Sequence, residues 1–342
     1  MTTMRIPDRL MDAATLRPRL TDSMGRRFEY LRLSLTDVCN FRCTYCLPEG
    51  YRKVAGRPAE LSVVEIRRAV TAFAALGLWK VRLTGGEPTL RSDFTEVARA
   101  VAAVPGIRRL AMTTNGYRLA ERAAEWRDAG VSAINISVDS LDPARFAAIT
   151  GHDRLEEVLR GVTAAKAAGF ESIKLNAVLM RGVNDDELAD MIAFVREHDL
   201  SLRFIEVMRT NDNAAFFQER HVAGRSVIAR LEAGGWTRLP REGGAGPAVE
   251  FGHPDAKGRI GIIAPYAQDF CASCNRLRLS SDGKLHLCLF GDGGLDLRPL
   301  LQDDDEAVLT ARITALTATK APAHRLRQGN SGATPHLASI GG

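Results

Sequence analysis

No run of apolar residues in this 342-residue chain is longer than about ten, against the roughly 20 that a membrane-spanning helix needs. The opening stretch, MTTMRIPDRLMDAA, holds no apolar run followed by a small-residue cleavage site, so no secretory leader is expected. Both absences point to a cytoplasmic protein that does not engage a membrane. Excess charge of one sign is scarce too. Lys and Arg number 46 against 41 Asp and Glu, a formal net charge of +5. Over this length that excess is too thin to argue for a nucleic-acid partner. It does fit a small anionic ligand, because an arginine fork grips phosphate oxygens in pairs. Hydrophobic residues at 45% and charged residues at 25% exclude a disordered or coiled-coil chain. There are only six cysteines, and a reducing compartment makes three disulfides a poor use of them. Metal binding or catalysis is the better use, and spacing decides between them.

What the sequence does have is alternation. Strand-like segments at Tyr30–Leu35, Lys80–Thr84, Arg109–Thr113, Ala133–Val138, Ile173–Leu179 and Arg203–Val207 alternate with amphipathic helical segments. The helical segments cover Ser62–Leu76, Asp93–Val104, Leu119–Ala129, Arg154–Ala168 and Asp185–His198, and Gly77, Gly130 and Gly169 stand where a helix-ending glycine belongs. This order predicts an α/β fold with a parallel sheet and crossover helices. Six such units exceed a flavodoxin-like sheet and fall short of eight, so a partial (βα)6 barrel of the TIM type is expected. Thr84, Thr114, Asn115, Ser137, Asp139, Asn176 and Glu206 gather near the C-terminal ends of the strands, where barrels do their chemistry. Strand-to-helix capping is the other use for such residues.

Beyond residue 210 the pattern breaks. Residues 241–247, REGGAGP, read as a loop, and strands are expected at Gly258–Ala264, Arg276–Ser280 and Lys284–Leu289. A Ser281-Asp282-Gly283 turn joins the last two as a hairpin, and a helix follows at Asp305–Thr319. From Ala321 the chain is rich in Pro, Gly, Ser and Asn, a composition that stays mobile until something orders it. The expected division is an N-terminal arm (1–24), the barrel (25–210), a C-terminal region of short strands and a helix (211–320), and a flexible tail (321–342) ending Gly341-Gly342.

All six cysteines fall into two triplets. Cys39, Cys43 and Cys46 form C-x3-C-x2-C directly after the first strand, and Cys271, Cys274 and Cys288 form C-x2-C-x13-C. Three closely spaced thiolates suit an iron–sulfur cube whose fourth iron keeps an open position for substrate or cofactor. Zinc is the alternative. It asks for a fourth ligand, which the first triplet lacks nearby and which His286 could give the second.

C-x3-C-x2-C after the first strand of a βα series, with Tyr45 between the last two cysteines and Thr84-Gly85-Gly86-Glu87-Pro88 closing the next strand, resembles the radical S-adenosylmethionine superfamily. The second triplet, the Arg276-Leu277-Arg278 segment after it, the phrase LRLSLTDVCNFRCTYC and the Gly-Gly ending resemble one family within it, the GTP 3′,8-cyclases of molybdenum cofactor biosynthesis. The likeness runs from about residue 25 to 300 and resumes at the last few residues. It departs in PHLASI before the glycines, where the family's Arg and Met are missing.

The resemblance implies two 4Fe-4S clusters, the first on Cys39, Cys43 and Cys46 and the second on Cys271, Cys274 and Cys288. It places S-adenosylmethionine against Tyr45, Gly86, Ser137 and Met208. GTP would meet Arg32, Arg82, Thr113, Lys174 and Arg276, Leu277 and Arg278, with Gly341 and Gly342 threading into the active site. Read as bare residues, Met208 serves equally as core packing. Lys174 on a central strand points more firmly to an anion, because a buried unpaired ammonium is costly. The implied reaction cleaves S-adenosylmethionine reductively, and the 5′-deoxyadenosyl radical removes the ribose 3′ hydrogen. C3′ then joins C8 of guanine, giving (8S)-3′,8-cyclo-7,8-dihydro-GTP, with Arg276 or Arg278 assisting the final proton and electron delivery. Implied partners are an external electron donor, a downstream cyclic pyranopterin monophosphate synthase and a second copy in a homodimer. Another two-cluster radical enzyme, acting on a peptide or a different nucleotide, is the alternative.

Overall fold

The computed structural model describes residues 19–53, 56–334 and 337–341. Residues 1–18, most of the expected N-terminal arm, and Gly342 lie outside the described residues. Six strands follow the expected order: β1 (Tyr30–Ser34), β2 (Lys80–Thr84), β3 (Arg109–Thr114), β4 (Val131–Ser137), β5 (Ser172–Leu179) and β6 (Ser201–Glu206). The five expected helices appear at Val63–Ala75, Phe94–Ala102, Leu119–Asp128, Leu155–Ala167 and Leu188–Glu197. Val63–Ala75 shows the local logic. Ser62 and Glu65 close a capping box at its start, and Ile66, Ala69, Val70 and Phe73 bury one face at helical spacing. Gly77, Gly130 and Gly169 each take a positive φ at a helix end, the left-handed stop that costs glycine nothing.

The C-terminal part adds β7 (Thr237–Arg238), β8 (Val249–Gly252), β9 (Arg259–Ile263), β10 (Arg276–Leu279), β11 (Lys284–His286) and β12 (Leu295–Asp296). It does not stand apart from the first six strands. All twelve form one mixed sheet ordered β12-β11-β10-β1-β2-β3-β4-β5-β6-β9-β8-β7. β10 runs parallel to β1 and β9 parallel to β6, so the parallel series gains one strand at each edge. An open six-stranded sheet exposes a row of unpaired backbone groups on both sides, and the C-terminal strands satisfy them. Helices Pro143–Thr150, Ala214–Arg220 and Gly224–Ala233 were not legible as helices in the sequence.

Side-chain alternation along the strands divides the sheet into two faces. Leu31, Leu33, Val81, Leu83, Leu277 and Leu279 face the helices in the main core. Their neighbours Tyr30, Arg32, Lys80, Arg82, Arg276 and Arg278 face the opposite way, into a cavity. Leu277 differs from its two arginine neighbours: its side chain is fully buried among core residues, because the period of a strand turns it away from the cavity they line, which leaves only its backbone for a substrate. The tail, expected to stay mobile until something orders it, has packing partners here. Leu326 and Ile340 pack with Leu289 and Phe290, so apolar contacts and the sheet's polar face order this segment. Among the described residues no helix is long and apolar enough to cross a membrane.

Candidate active site

The loop that carries the first triplet is fixed from three sides. Arg42 and Thr44 donate backbone N–H bonds to Thr150 O and Ile149 O at 2.9 and 3.0 Å, while Phe41 packs edge-on to Phe146 and stacks on His152. Helix Pro143–Thr150 thus anchors the loop. Asn115 Nδ2 donates to Asn40 Oδ1 at 2.8 Å from the end of β3. Tyr45 donates to Asp139 Oδ2 at 2.9 Å, and Asp139 also accepts from Val178 N at 2.8 Å.

The glycines of the GGEP segment have a nearer neighbour than any ligand. A Cβ on Gly85 would stand 2.3 Å from Thr36 O, and one on Gly86 would stand 2.3 Å from Val38 O. Gly86 N and Glu87 N donate to Thr36 O and Val38 O at 2.8 Å each. The bare backbone of 85–86 thus lies directly against the stretch leading into Cys39. Glu87, fully buried, accepts from Thr89 Oγ1 at 2.6 Å, Thr114 Oγ1 at 2.9 Å and Asn115 N at 2.7 Å. Sequence reasoning gave it no role of its own. The structure shows its carboxylate tying the ends of β2 and β3 together.

The three thiols of this loop are half-buried and free of disulfides. Burial pushes Cys39 up to about 11 and Cys46 to about 12, and burial, then Asp139, push Cys43 well up from its ordinary value. Cys46 feels the charge of Cys39, and Cys43 that of both, so the three sulfurs face one region. In the second triplet Cys271 feels Cys288 and Cys274 in the same way. Among the described residues no three His, Cys, Asp or Glu side chains are close enough together to hold a single ion. Neighbouring but separated thiols are the donor set for a cube with iron at distinct corners, and both triplets fit it.

A cavity of about 1460 Å³ opens on the polar face of the sheet. It brings together Arg32, Arg82, Thr113, Lys174, Met208, Arg276, Arg278 and the second triplet. It does not include the first triplet, Tyr45, Gly86 or Ser137, which is half-buried at the end of β4. Lys80, Arg109 and Arg203, absent from the sequence reading, line it as well. Their signal was present: Lys80 stands two residues before Arg82 on one strand face, and Arg109 opens the next strand. Arg82 donates to Met112 O at 2.8 Å and Thr113 Oγ1 at 3.3 Å. Glu250 pairs with Arg203 at 2.6 Å and faces Lys174 at 3.7 Å. Burial, reinforced by Arg203 and opposed by Glu250, lowers Lys174 to about 8. Burial and the like charges of Arg32 and Arg276 lower Arg278. Such a crowded set of cations is costly unless an anion joins it.

Residues 337–341 lie between the first triplet and the cavity. Ala338 N–H bonds Cys46, while Arg32 and Arg278 donate to Gly341 O at 2.8 and 2.6 Å. Gly341 has φ +65°, and a Cβ there would lie 2.3 Å from Thr84 Cγ2, so only glycine fits.

Residues 33–195 match the Radical SAM superfamily and residues 200–326 match Molybdenum Cofactor Synthesis C. The chain also shares its fold with Streptococcus suis SuiB bound to S-adenosylmethionine, at a TM-score of 0.58 and 12% identity over 86% of this chain and 69% of that one. Fold and cysteine loop define a radical S-adenosylmethionine enzyme. The chain is 58% identical over 325 residues to the GTP 3′,8-cyclase of Stenotrophomonas maltophilia strain R551-3, covering 95% of this chain and 99% of the relative. Against the GTP 3′,8-cyclase of Aeromonas hydrophila it is 56% identical over 328 residues, covering 94% and 96%. The chain belongs to the GTP 3′,8-cyclase family.

Proposed function

We propose that the cation-lined cavity beside the second triplet is where this enzyme converts GTP to (8S)-3′,8-cyclo-7,8-dihydro-GTP, an early step of molybdenum cofactor biosynthesis. The observation that carries the reading is that this cavity has the second cysteine triplet on its wall and a set of cations matched to a triphosphate. Residues 25–210 act as a partial (βα)6 barrel for the radical chemistry, and residues 211–320 carry the second cluster. The enzyme holds two 4Fe-4S clusters, on Cys39, Cys43 and Cys46 and on Cys271, Cys274 and Cys288, and binds S-adenosylmethionine against Tyr45, Gly86, Ser137 and Met208. When bound, these groups supply the 5′-deoxyadenosyl radical and an open iron for the guanine edge.

The chain's own residues position and shield. Arg32, Arg82, Lys174, Arg276 and Arg278, joined by Lys80, Arg109 and Arg203, hold the phosphates and fix C3′. Such orientation is worth about 7–11 kcal/mol of a barrier. The residue 337–341 segment closes the space between the two halves of the site against water, as Ile340 and Gly341 are buried there. Forming the C3′–C8 bond removes one hydrogen atom from C3′ and requires one electron and one proton back on the guanine. The electron comes from an external donor, and Arg276 or Arg278 steadies the ring that takes the proton. A cyclic pyranopterin monophosphate synthase consumes the product, and the enzyme works as a cytoplasmic homodimer.

The deciding experiment reconstitutes the protein anaerobically, adds S-adenosylmethionine and reductant, and quantifies 5′-deoxyadenosine with GTP, ATP or no nucleotide. GTP-dependent formation with a matching cyclised nucleotide is the expected result. Cleavage indifferent to nucleotide, with no cyclised product, overturns the substrate.

A further inference from the structure

Tyr30 is the one phenol among the cavity's strand cations, and nothing above gives it a task. It is buried on β1 and borders the cavity. Its oxygen accepts from Arg82 Nε at 2.6 Å and from Arg32, and the Lys80 ammonium lies 4.6 Å from its ring centre. On the other flank β10 presents Arg276, the register partner of Tyr30, and Arg278. Strands β1, β2 and β10 read YLRLS, KVRLT and RLRL, so none of them offers a carboxylate. Glu250 is committed to Arg203 and Lys174.

We propose that Tyr30 is the site's built-in counter-anion: its phenolate neutralises Arg32, Lys80 and Arg82 in the empty cavity, and it takes one proton from solvent when nucleotide phosphates replace it. Burial alone pushes the phenol up, but Arg82, Arg32 and Lys80 outweigh burial and hold it at about 6. The hydrogen bond from Arg82 and the nearby Lys80 ammonium thus favour the phenolate in the cavity without ligand. Phosphates beside the same cations cancel their pull, and burial then restores the phenol. One proton moves from buffer to the phenolic oxygen, and no other bond changes. Tyr30 is in this sense a positioning residue. It keeps the guanidinium groups of Arg82 and Arg32 oriented until substrate arrives. The inference rests on reading the cavity as the nucleotide site.

Binding that takes up a whole proton weakens about tenfold per pH unit as pH rises. The test titrates the cluster-loaded full chain anaerobically with inorganic triphosphate and, separately, with GTP and with ATP. Calorimetry in buffers of different ionisation heat counts the protons. At pH 7 the wild type takes up close to one proton more than Tyr30→Phe. Its Kd for triphosphate rises nearly tenfold per pH unit just above neutrality, where that of the variant rises less than threefold. Ionisation of the ligand itself enters both proteins alike. Equal uptake by the two proteins overturns the proposal. If the variant does not fold, the wild-type profile decides. Uptake that disappears as pH falls through about 6 supports the phenolate, whereas uptake centred near 8 belongs to Lys80 and Lys174, both lowered to about 8 by burial, and overturns it. Tyr30-dependent uptake with triphosphate, but no preference for GTP over ATP, keeps the counter-anion and removes the guanine-nucleotide reading.

Discussion

The two cysteine triplets differ at one thiol: Cys274 of the second is lowered, while Cys271 beside it is raised like those of the first. Around the first, burial pushes every thiol up, and Glu87 adds to it at Cys39 and Asp139 at Cys43. Around the second, burial also pushes Cys274 up, but Arg276 and Lys320 outweigh it and bring the thiol to about 7. Arg276 Nη2 lies 3.9 Å from its sulfur. The first set is offset by hydrogen bonds, from Phe41, Asn40 and Asn115 to Cys39, Tyr45 to Cys43 and Ala338 to Cys46. The other shares its cations with whatever anion fills the cavity. A single residue type serves two ends because its surroundings, rather than its own chemistry, decide what it lies beside.

Replacing one ligand in each triplet separates the two sites most sharply. Cys39→Ala is expected to reduce 5′-deoxyadenosine formation to background, whatever nucleotide is present, and chromatographic detection of continued formation would break the comparison. Cys271→Ala is expected to keep part of that formation and lose the cyclised nucleotide, and mass spectrometry of the product decides. Arg276→Ala strips a charged contact worth about 1.5–3 kcal/mol. It is expected to weaken GTP binding by about tenfold to a hundredfold, with nucleotide-free cleavage of S-adenosylmethionine unchanged. Equal loss of both would show that the two sites are not independent. Glu87→Gln gives the smallest change. It turns an amide toward donors now satisfied by a carboxylate, at about 1–2 kcal/mol of folding stability, seen as a lower melting temperature with the second triplet's iron content retained.

The parts of this arrangement that could be read from the sequence were local. Cysteine spacing, the strand–helix alternation and the glycine stops are each written within a few residues. The parts that could not were products of long-range pairing. Nothing near Arg276 says that it will lie beside Tyr30, or that Arg259–Ile263 will extend the sheet beyond β6. Lys80, Arg109 and Arg203 were passed over because the cavity face they share exists only once their strands are paired. Leu277 shows the same limit from the other side. A motif carried it into the substrate list, while the strand's period of two turned it into the core. The tail's partners were hidden because composition measures a segment's own tendency to order, and Arg32 and Arg278 are distant in sequence.

The twelve strands end in two free edges, β12 and β7. The chain between β9 and β10 passes from one flank of the sheet to the other and carries Cys271 and Cys274 on the way, while Cys288 follows β11. A cluster gripping all three sulfurs would work as a clasp. It would bind the connection to the β10–β12 flank at a point where no backbone ladder among the described residues joins them. Loading iron would then be a mechanical event as well as a chemical one, and an unloaded enzyme would be slackest along that seam.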